Sequence, residues 1–211
     1  MRGPTTLGNL QTLPEPTRSE PMKTKFEQKN LFCLPWTQTI LGTHLNGKVN
    51  FMALDWLTRV NIHPAMLGVC VNRNNASYGA IVDTGEFSIN IPSAALLAET
   101  DYTGLVSGKN VDKSDLFEVF YGDLASAPMI ASCPLTIECK LSQTVDLPSH
   151  TFFIAEIINI YTEDQFLTDG KPDMGKIHPF LLTMPDNNYW GLGEKIGKAW
   201  NVGKRLKSEN K

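Results

Sequence analysis

Asn46-Gly47 dictates a tight hairpin, because both residues tolerate the positive φ that a primed two-residue turn demands. The strand entering it spans Trp36 to Thr43, and the returning strand is Val49-Asn50-Phe51-Met52-Ala53-Leu54-Asp55-Trp56. Two further strands follow. Ala65 to Val71 is an apolar run entered through Pro64, which has no amide hydrogen to offer a ladder. Glu86-Phe87-Ser88-Ile89-Asn90-Ile91 stops at Pro92. Residues 72–84 between them are rich in Asn, Ser and Gly, and Ser77 to Asp83 reads as a short helix ended near Gly85.

Downstream, Ser93 to Asp101 predicts a helix with Ser93 as N-cap. A polar segment, Gly104 to Lys113, carries Lys109 and Lys113, and Asp112 or Ser114 is placed to cap a short helix through Phe120. Leu135 to Val145 alternates like a half-buried strand, with Leu135, Ile137, Cys139 and Leu141 opposed to Thr136, Glu138, Lys140 and Ser142. Thr151 to Tyr161 is β-branched, aromatic and apolar on both faces for most of its length. Such a strand needs cover on two sides; a barrel interior supplies one, and a second subunit supplies the other most simply. Asp164 to Lys176 reads as a polar loop and Pro179 to Met184 as a short strand. Gly191 to Leu206 reads as a C-terminal helix whose basic end complements its dipole. The chain is therefore expected to be mainly β: a barrel with short helical insertions and a C-terminal helix.

No linker divides the 211 residues after residue 30, which predicts one domain over residues 31–211. Residues 1–30 are expected to form a flexible arm; the first 21, with Pro4, Pro14, Pro16 and Pro21 and no apolar core region, read as disordered or as sequence ahead of a true start at Met22. A net charge of −3 offers no electrostatic case for nucleic acid or an anionic membrane, and no run approaches the ~20 apolar residues of a membrane span. Cys33, Cys70, Cys133 and Cys139 form no Cys-x-x-Cys pair, so no zinc site is expected. Free thiols without a secretory signal point to the cytoplasm.

Familiar catalytic motifs fail one by one. Gly191 to Gly197 carries one residue too many for the dinucleotide fingerprint, and no βαβ unit follows it. Ser107-Gly108-Lys109 lacks the leading glycine of a phosphate loop. His44, His63, His150 and His178 have no metal-ligand spacing, and no Gly-x-Ser-x-Gly elbow exists. What remains is a set of polar and aromatic residues: Asn50 and Trp56 on one strand, Asn72, Ser77 and Tyr78 at a corner, Asn90 near a strand end, and Ser107, Lys109 and Lys113 in a loop. On composition alone these read as turn residues and solvated lysines.

Their order says more. Asn50 to Trp56, Gly85 to Pro92, Ser107-Gly108-Lys109-Asn110-Val111-Asp112-Lys113, Ala127-Pro128-Met129-Ile130, Leu135 to Cys139 and then His150 ahead of a long strand resemble the flavin reductase-like family, and within it the flavoredoxins. The resemblance covers Trp36 to Gly193. It implies an FMN-binding split β-barrel acting as a homodimer, with FMN reduced in some members by NADH or NADPH. It implies that the strand Asn50 to Trp56, including Met52, Ala53 and Asp55, lines the flavin ring. Ser77 and Lys113 would approach the phosphate, with Lys109 nearby, and His150 would lie near the ring as the catalytic candidate. A phosphate dianion needs a hydroxyl, backbone N–H groups and a cation or two, which these residues can give. Hydride transfer to a flavin needs no protein base, since the cofactor carries the chemistry. Two departures stand out: Asp55 places a carboxylate where the family has Ser or Ala, and the family's Arg-His-Thr corner is Asn75-Ala76-Ser77 here. Two rivals stay open: a flavin-binding electron carrier with no NAD(P)H turnover, and a flavin-free or pyridoxamine-phosphate oxidase-like barrel. The expected partners are a small-molecule or protein electron donor and acceptor.

Overall fold

The computed structural model describes Lys23, Lys25, Phe26, residues 33–204 and Leu206, and the chain divides into two units between residues 31 and 32. The arm expected over residues 1–30 lies outside the described residues, save for those three. Everything below concerns the unit that begins at residue 32.

The elements in chain order are β1 (Trp36–Thr37), β2 (Thr39–Leu45), β3 (Lys48–Leu54), β4 (Leu57–Asn61), β5 (Met66–Asn72), α1 (Ala76–Thr84) and β6 (Glu86–Ile91). A 3₁₀ turn at Ala94–Leu96 leads into α2 (Leu97–Leu105), then β7 (Val119–Phe120), β8 (Met129–Ile130), β9 (Leu135–Asp146) and β10 (His150–Thr162). The remainder is β11 (Leu167–Thr168), β12 (Lys171–Pro172), α3 (Met174–Ile177), β13 (Phe180–Thr183) and β14 (Asn188–Gly191). Asn46 and Gly47 adopt φ of 52° and 77°, so the primed turn between β2 and β3 forms as its residues dictate. Gly85, at φ 67°, ends α1 with its amide on the Ile81 carbonyl.

Seven strands form one antiparallel sheet in the order β3-β2-β6-β9-β10-β5-β4. β3 and β4 are consecutive in the chain yet lie at opposite edges of that sheet, joined only by Asp55 and Trp56. Laid flat, seven strands span about 29 Å from edge to edge. Three Cα steps reach at most about 11 Å. The sheet must therefore curl until its edges meet, giving a barrel split along the β3–β4 seam. Its interior is filled by Leu41, Leu67, Val69, Val71, Ile81, Phe87, Ile89, Cys139 and Phe153. A second cluster, Ile40, Phe51, Phe117, Ile130 and Cys133, sits on the other face of β2 and β3. Both faces of this hairpin are thus covered.

The structure departs from expectation in several places: the strand expected over Trp36 to Thr43 is split into β1 and β2, and the expected loop Asp164 to Lys176 holds the β11–β12 pair and the start of α3. Residues 191–204 form no helix beyond a 3₁₀ turn at Val202–Lys204. Gly191, Gly193, Gly197 and Gly203 each cost a helix about 1 kcal/mol, and Ile196 and Trp200 are 98% and 94% exposed, so no packing offsets that cost. The helix expected from Asp112 or Ser114 to Phe120 is instead a turn followed by β7; Asp112 spends its carboxylate on the amide and hydroxyl of Ser114 and on Lys48. On β9, Thr136 and Glu138 are buried rather than solvated.

Strand β10 divides its apolar residues as expected. Thr151, Phe153 and Ala155 point into the barrel, while Phe152 and Ile154 stand on the outer face. There the Phe152 ring lies over Gly68, where any side chain would collide with it. Trp56 and Val60 extend this half-open apolar face.

Candidate functional site

A cavity of about 270 Å³ opens beside β3. Asn50, Met52 and Ala53 form one wall, the first turn of α1 (Asn75 to Ser77) a second, and the end of α2 with the following loop (Thr103 to Gly108 and Lys113) a third. Six sequence candidates thus converge on one space: Asn50, Met52, Ala53, Ser77, Ser107 and Lys113.

The cavity is built for an anion. Lys113 is only 4% exposed. Its Nζ donates to the carbonyls of Val106 at 3.0 Å and Thr103 at 3.4 Å, and no carboxylate pairs with it among the described residues. Burial lowers its pKa to about 8. The carbonyls that hold it belong to the end of α2, where the helix dipole favours a cation. Facing it, α1 begins at Asn75 with no side-chain cap and no acidic residue in its first turn. Its leading amides remain available to a negative group. Ser77, fully buried, accepts from Asn50 Nδ2 at 3.0 Å, which leaves its own hydroxyl hydrogen for the cavity.

The other candidates lie elsewhere. Lys109 is at the rim, its Nζ donating to the Asn74 carbonyl at 2.8 Å. Asn72 shapes the corner, its Oδ1 accepting from the Asn74 amide at 2.9 Å. Tyr78 packs on the barrel core against Phe153, with ring centroids 5.7 Å apart. Asn90 is a buried stitch: Nδ2 donates to the Ile40 carbonyl and to Ser88, and Oδ1 accepts from the Ile130 amide. Its strand-end position offers it no access to the cavity, because all its polar atoms are committed to β2, β6 and β8. Trp56 and His150 stack on each other, ring centroids 4.7 Å apart and planes within 1°, with His150 Nδ1 2.8 Å from Ser149 Oγ. Asp55 sits at the seam, half-buried, and burial raises its carboxyl pKa.

Sequence reasoning missed Asn75, Thr103, Gly104, Val106 and Gly108. The two glycines are explained by the structure. The Cβ of Ala53 lies close against Gly104, and a side chain at Gly108 would collide with Asn50 Oδ1. Both mark close approaches of backbone to the cavity wall.

A barrel split along one seam, with a buried cation and an uncapped helix start lining one cavity, defines a class: a split-barrel protein with a positively charged cavity at an edge strand. The chain belongs to the flavin reductase like domain family, which matches residues 31–178. It is similar to the crystal structure of flavoredoxin from Methanosarcina acetivorans, at 49% identity and a TM-score of 0.85, covering 87% of this chain and 98% of that one. It is also similar to flavoredoxin of Desulfovibrio vulgaris, at 30% identity and a TM-score of 0.79, over 86% of this chain and 100% of the other. Among curated proteins, FMN reductase (NADH) RutF of Pseudomonas syringae is 28% identical over 54% of this chain and 62% of its own. Among the described residues no helix is long and apolar enough to cross a membrane.

Proposed function

We propose that this chain binds FMN in the cavity and, as a homodimer, carries hydride or electrons from NAD(P)H or a protein donor to an acceptor. The observation that carries the proposal is Lys113: among the described residues this buried ammonium has only carbonyl partners, and an anion beside it would favour its charged form. The phosphate of FMN fits that seat, with Lys113, the Ser77 hydroxyl and the first amides of α1 as its donors. Met52 and Ala53 offer the flat apolar wall that a flavin ring needs. A bound flavin supplies reversible two-electron chemistry. The chain supplies binding, orientation and cover from water, which explains why no catalytic triad is needed. The flavoredoxin and FMN reductase likenesses support the reading.

The test is the visible spectrum under anaerobic conditions. A yellow protein that bleaches with NADH or NADPH supports an oxidoreductase. A yellow protein bleached only by dithionite is the electron carrier without nicotinamide turnover. A colourless protein that ignores added FMN removes the flavin reading altogether.

The cavity alone falls below the ~300–1,000 Å³ in which ligand sites usually enclose a whole small molecule. It therefore suits the phosphate and its polyol chain, with the ring extending to an edge that a second copy completes. The outer apolar face of Trp56, Val60, Phe152 and Ile154 is the surface proposed for that copy. Ile154→Glu is expected to turn a dimer into a monomer in sedimentation velocity and to weaken FMN binding at least tenfold at micromolar protein; an unchanged sedimentation coefficient counts against this face.

A further inference from the structure

Asn50 is 4% exposed and lines the cavity. Its Nδ2 donates to Ser77 Oγ at 3.0 Å and Thr43 Oγ1 at 3.3 Å. The Thr43 hydroxyl hydrogen is turned to the Asn50 backbone carbonyl at 3.4 Å, so Thr43 presents a lone pair to the amide. The amide nitrogen thus lies between the two hydroxyls. The oxygen, Oδ1, is then left buried with no partner. It lies against Gly108, where any Cβ would collide with it, and both residues line the cavity.

A buried acceptor without a donor is costly, so a ligand donor that meets it recovers that cost. A phosphate oxygen cannot, because it too is an acceptor. The donor must be an O–H or N–H of the ligand, close to the anion that Lys113 and Ser77 hold. On the FMN reading, on which this step rests, the groups adjoining the phosphate are the ribityl hydroxyls. We infer that Asn50 Oδ1 accepts a hydrogen bond from one ribityl hydroxyl and so makes the cavity selective for a polyol phosphate over a bare phosphoester. Asn50 is thereby a positioning residue: by tying the polyol chain to Ser77 and β3 it sets how far the ring extends along the strand.

The test uses the apoprotein and fluorescence titration with FMN and with its 2′-, 3′- and 4′-deoxyribityl analogues. One analogue is expected to bind the wild-type chain about tenfold more weakly than FMN, in line with the loss of one buried hydrogen bond. The other two should bind within about twofold of FMN. In Asn50→Leu that same analogue and FMN are expected to bind equally. Should the variant not fold, the wild-type series decides by itself: three analogues all within twofold of FMN overturn the inference. An equal penalty for the analogue in wild type and variant overturns it too. Failure of FMN itself to bind wild type overturns the flavin reading and this inference with it, so the two failures are distinguishable.

Discussion

Replacing Lys113 by methionine is expected to raise the dissociation constant for FMN by about 10- to 100-fold. Lys113 is 4% exposed and has only the Thr103 and Val106 carbonyls as partners. A hydrogen bond to a charged group contributes roughly 1.5–3 kcal/mol, which spans that range of affinities. Lys204→Ala, at an exposed cation in the C-terminal segment, is the control and should leave affinity unchanged. The effect has a pH signature. The folded apoprotein holds Lys113 at about 8, below its ordinary 10.5, because burial disfavours the charged form. The unfolded chain therefore binds more protons between about pH 8 and pH 10.5, and apoprotein stability gains from this group as pH rises through that window. A bound phosphate has the opposite preference, since it favours the ammonium. FMN affinity should therefore fall above about pH 8, by at most about tenfold per pH unit. Both trends should vanish in Lys113→Met. Equal FMN content in Lys113→Met and Lys204→Ala would remove Lys113 from the phosphate site.

Glu138→Ala is expected to destabilise the fold by about 2–4 kcal/mol, because buried donors that lose an acceptor cost about 1–3 kcal/mol each and relaxation recovers part of the sum. Glu138 is fully buried between β9 and the loop at residues 122–124. Its oxygens accept from the amides of Asp123 at 3.2 Å and Leu124 at 2.9 Å, from Asn159 Nδ2 at 2.6 Å and from the Tyr161 hydroxyl at 2.9 Å. Alanine removes the acceptor of all four, and only Asn159 Nδ2 keeps a second partner, Asp123 Oδ2 at 2.9 Å. Burial by itself pushes the Glu138 pKa up, but these hydrogen bonds, led by that of Asn159, outweigh it and hold the pKa below the ordinary value. Its contribution is therefore complete above the unfolded carboxylate pKa and is lost as pH falls through the lowered folded value. Glu138→Gln keeps the shape but turns an amide hydrogen toward donors, so it should fall between alanine and wild type. Urea unfolding at pH 7 and pH 3 measures this. The wild-type advantage over Glu138→Ala should shrink at the lower pH, and a difference under 1 kcal/mol at pH 7 would show the network to be dispensable.

Glu138 also shows where sequence reading runs out. Alternation along β9 separates its two faces correctly, yet it assigns Glu138 and Thr136 to water. Period-two patterning tells which residues share a face, but not that a loop about fifteen residues earlier and a strand about twenty residues later will roof it. Local chemistry was more legible: the Asn46-Gly47 turn and the Gly85 cap follow from backbone sterics alone. The C-terminal segment failed for the converse reason. Leu192, Ile196 and Trp200 have helical spacing, but a period without a surface to pack on does not offset four glycines. At the site, Asn50, Ser77 and Lys113 were legible as an ordered resemblance rather than as a pattern of burial. Asn90 was misplaced because a buried asparagine that ties strands together and one that faces a ligand look alike in a sequence. Gly108 carried no signal until the orphaned oxygen beside it was visible.

The Asp55–Trp56 link has a consequence for how this barrel comes together. The two strands farthest apart across the sheet are nearest neighbours along the chain. Bringing the rims together therefore restrains almost no slack, and the entropy of ring closure falls on the β5–β6 and β6–β9 connections instead. Lengthening this link by a few Gly-Ser residues would leave every ladder intact while unhooking one rim from the other, which makes it the one place where the barrel can be loosened without unpairing a strand.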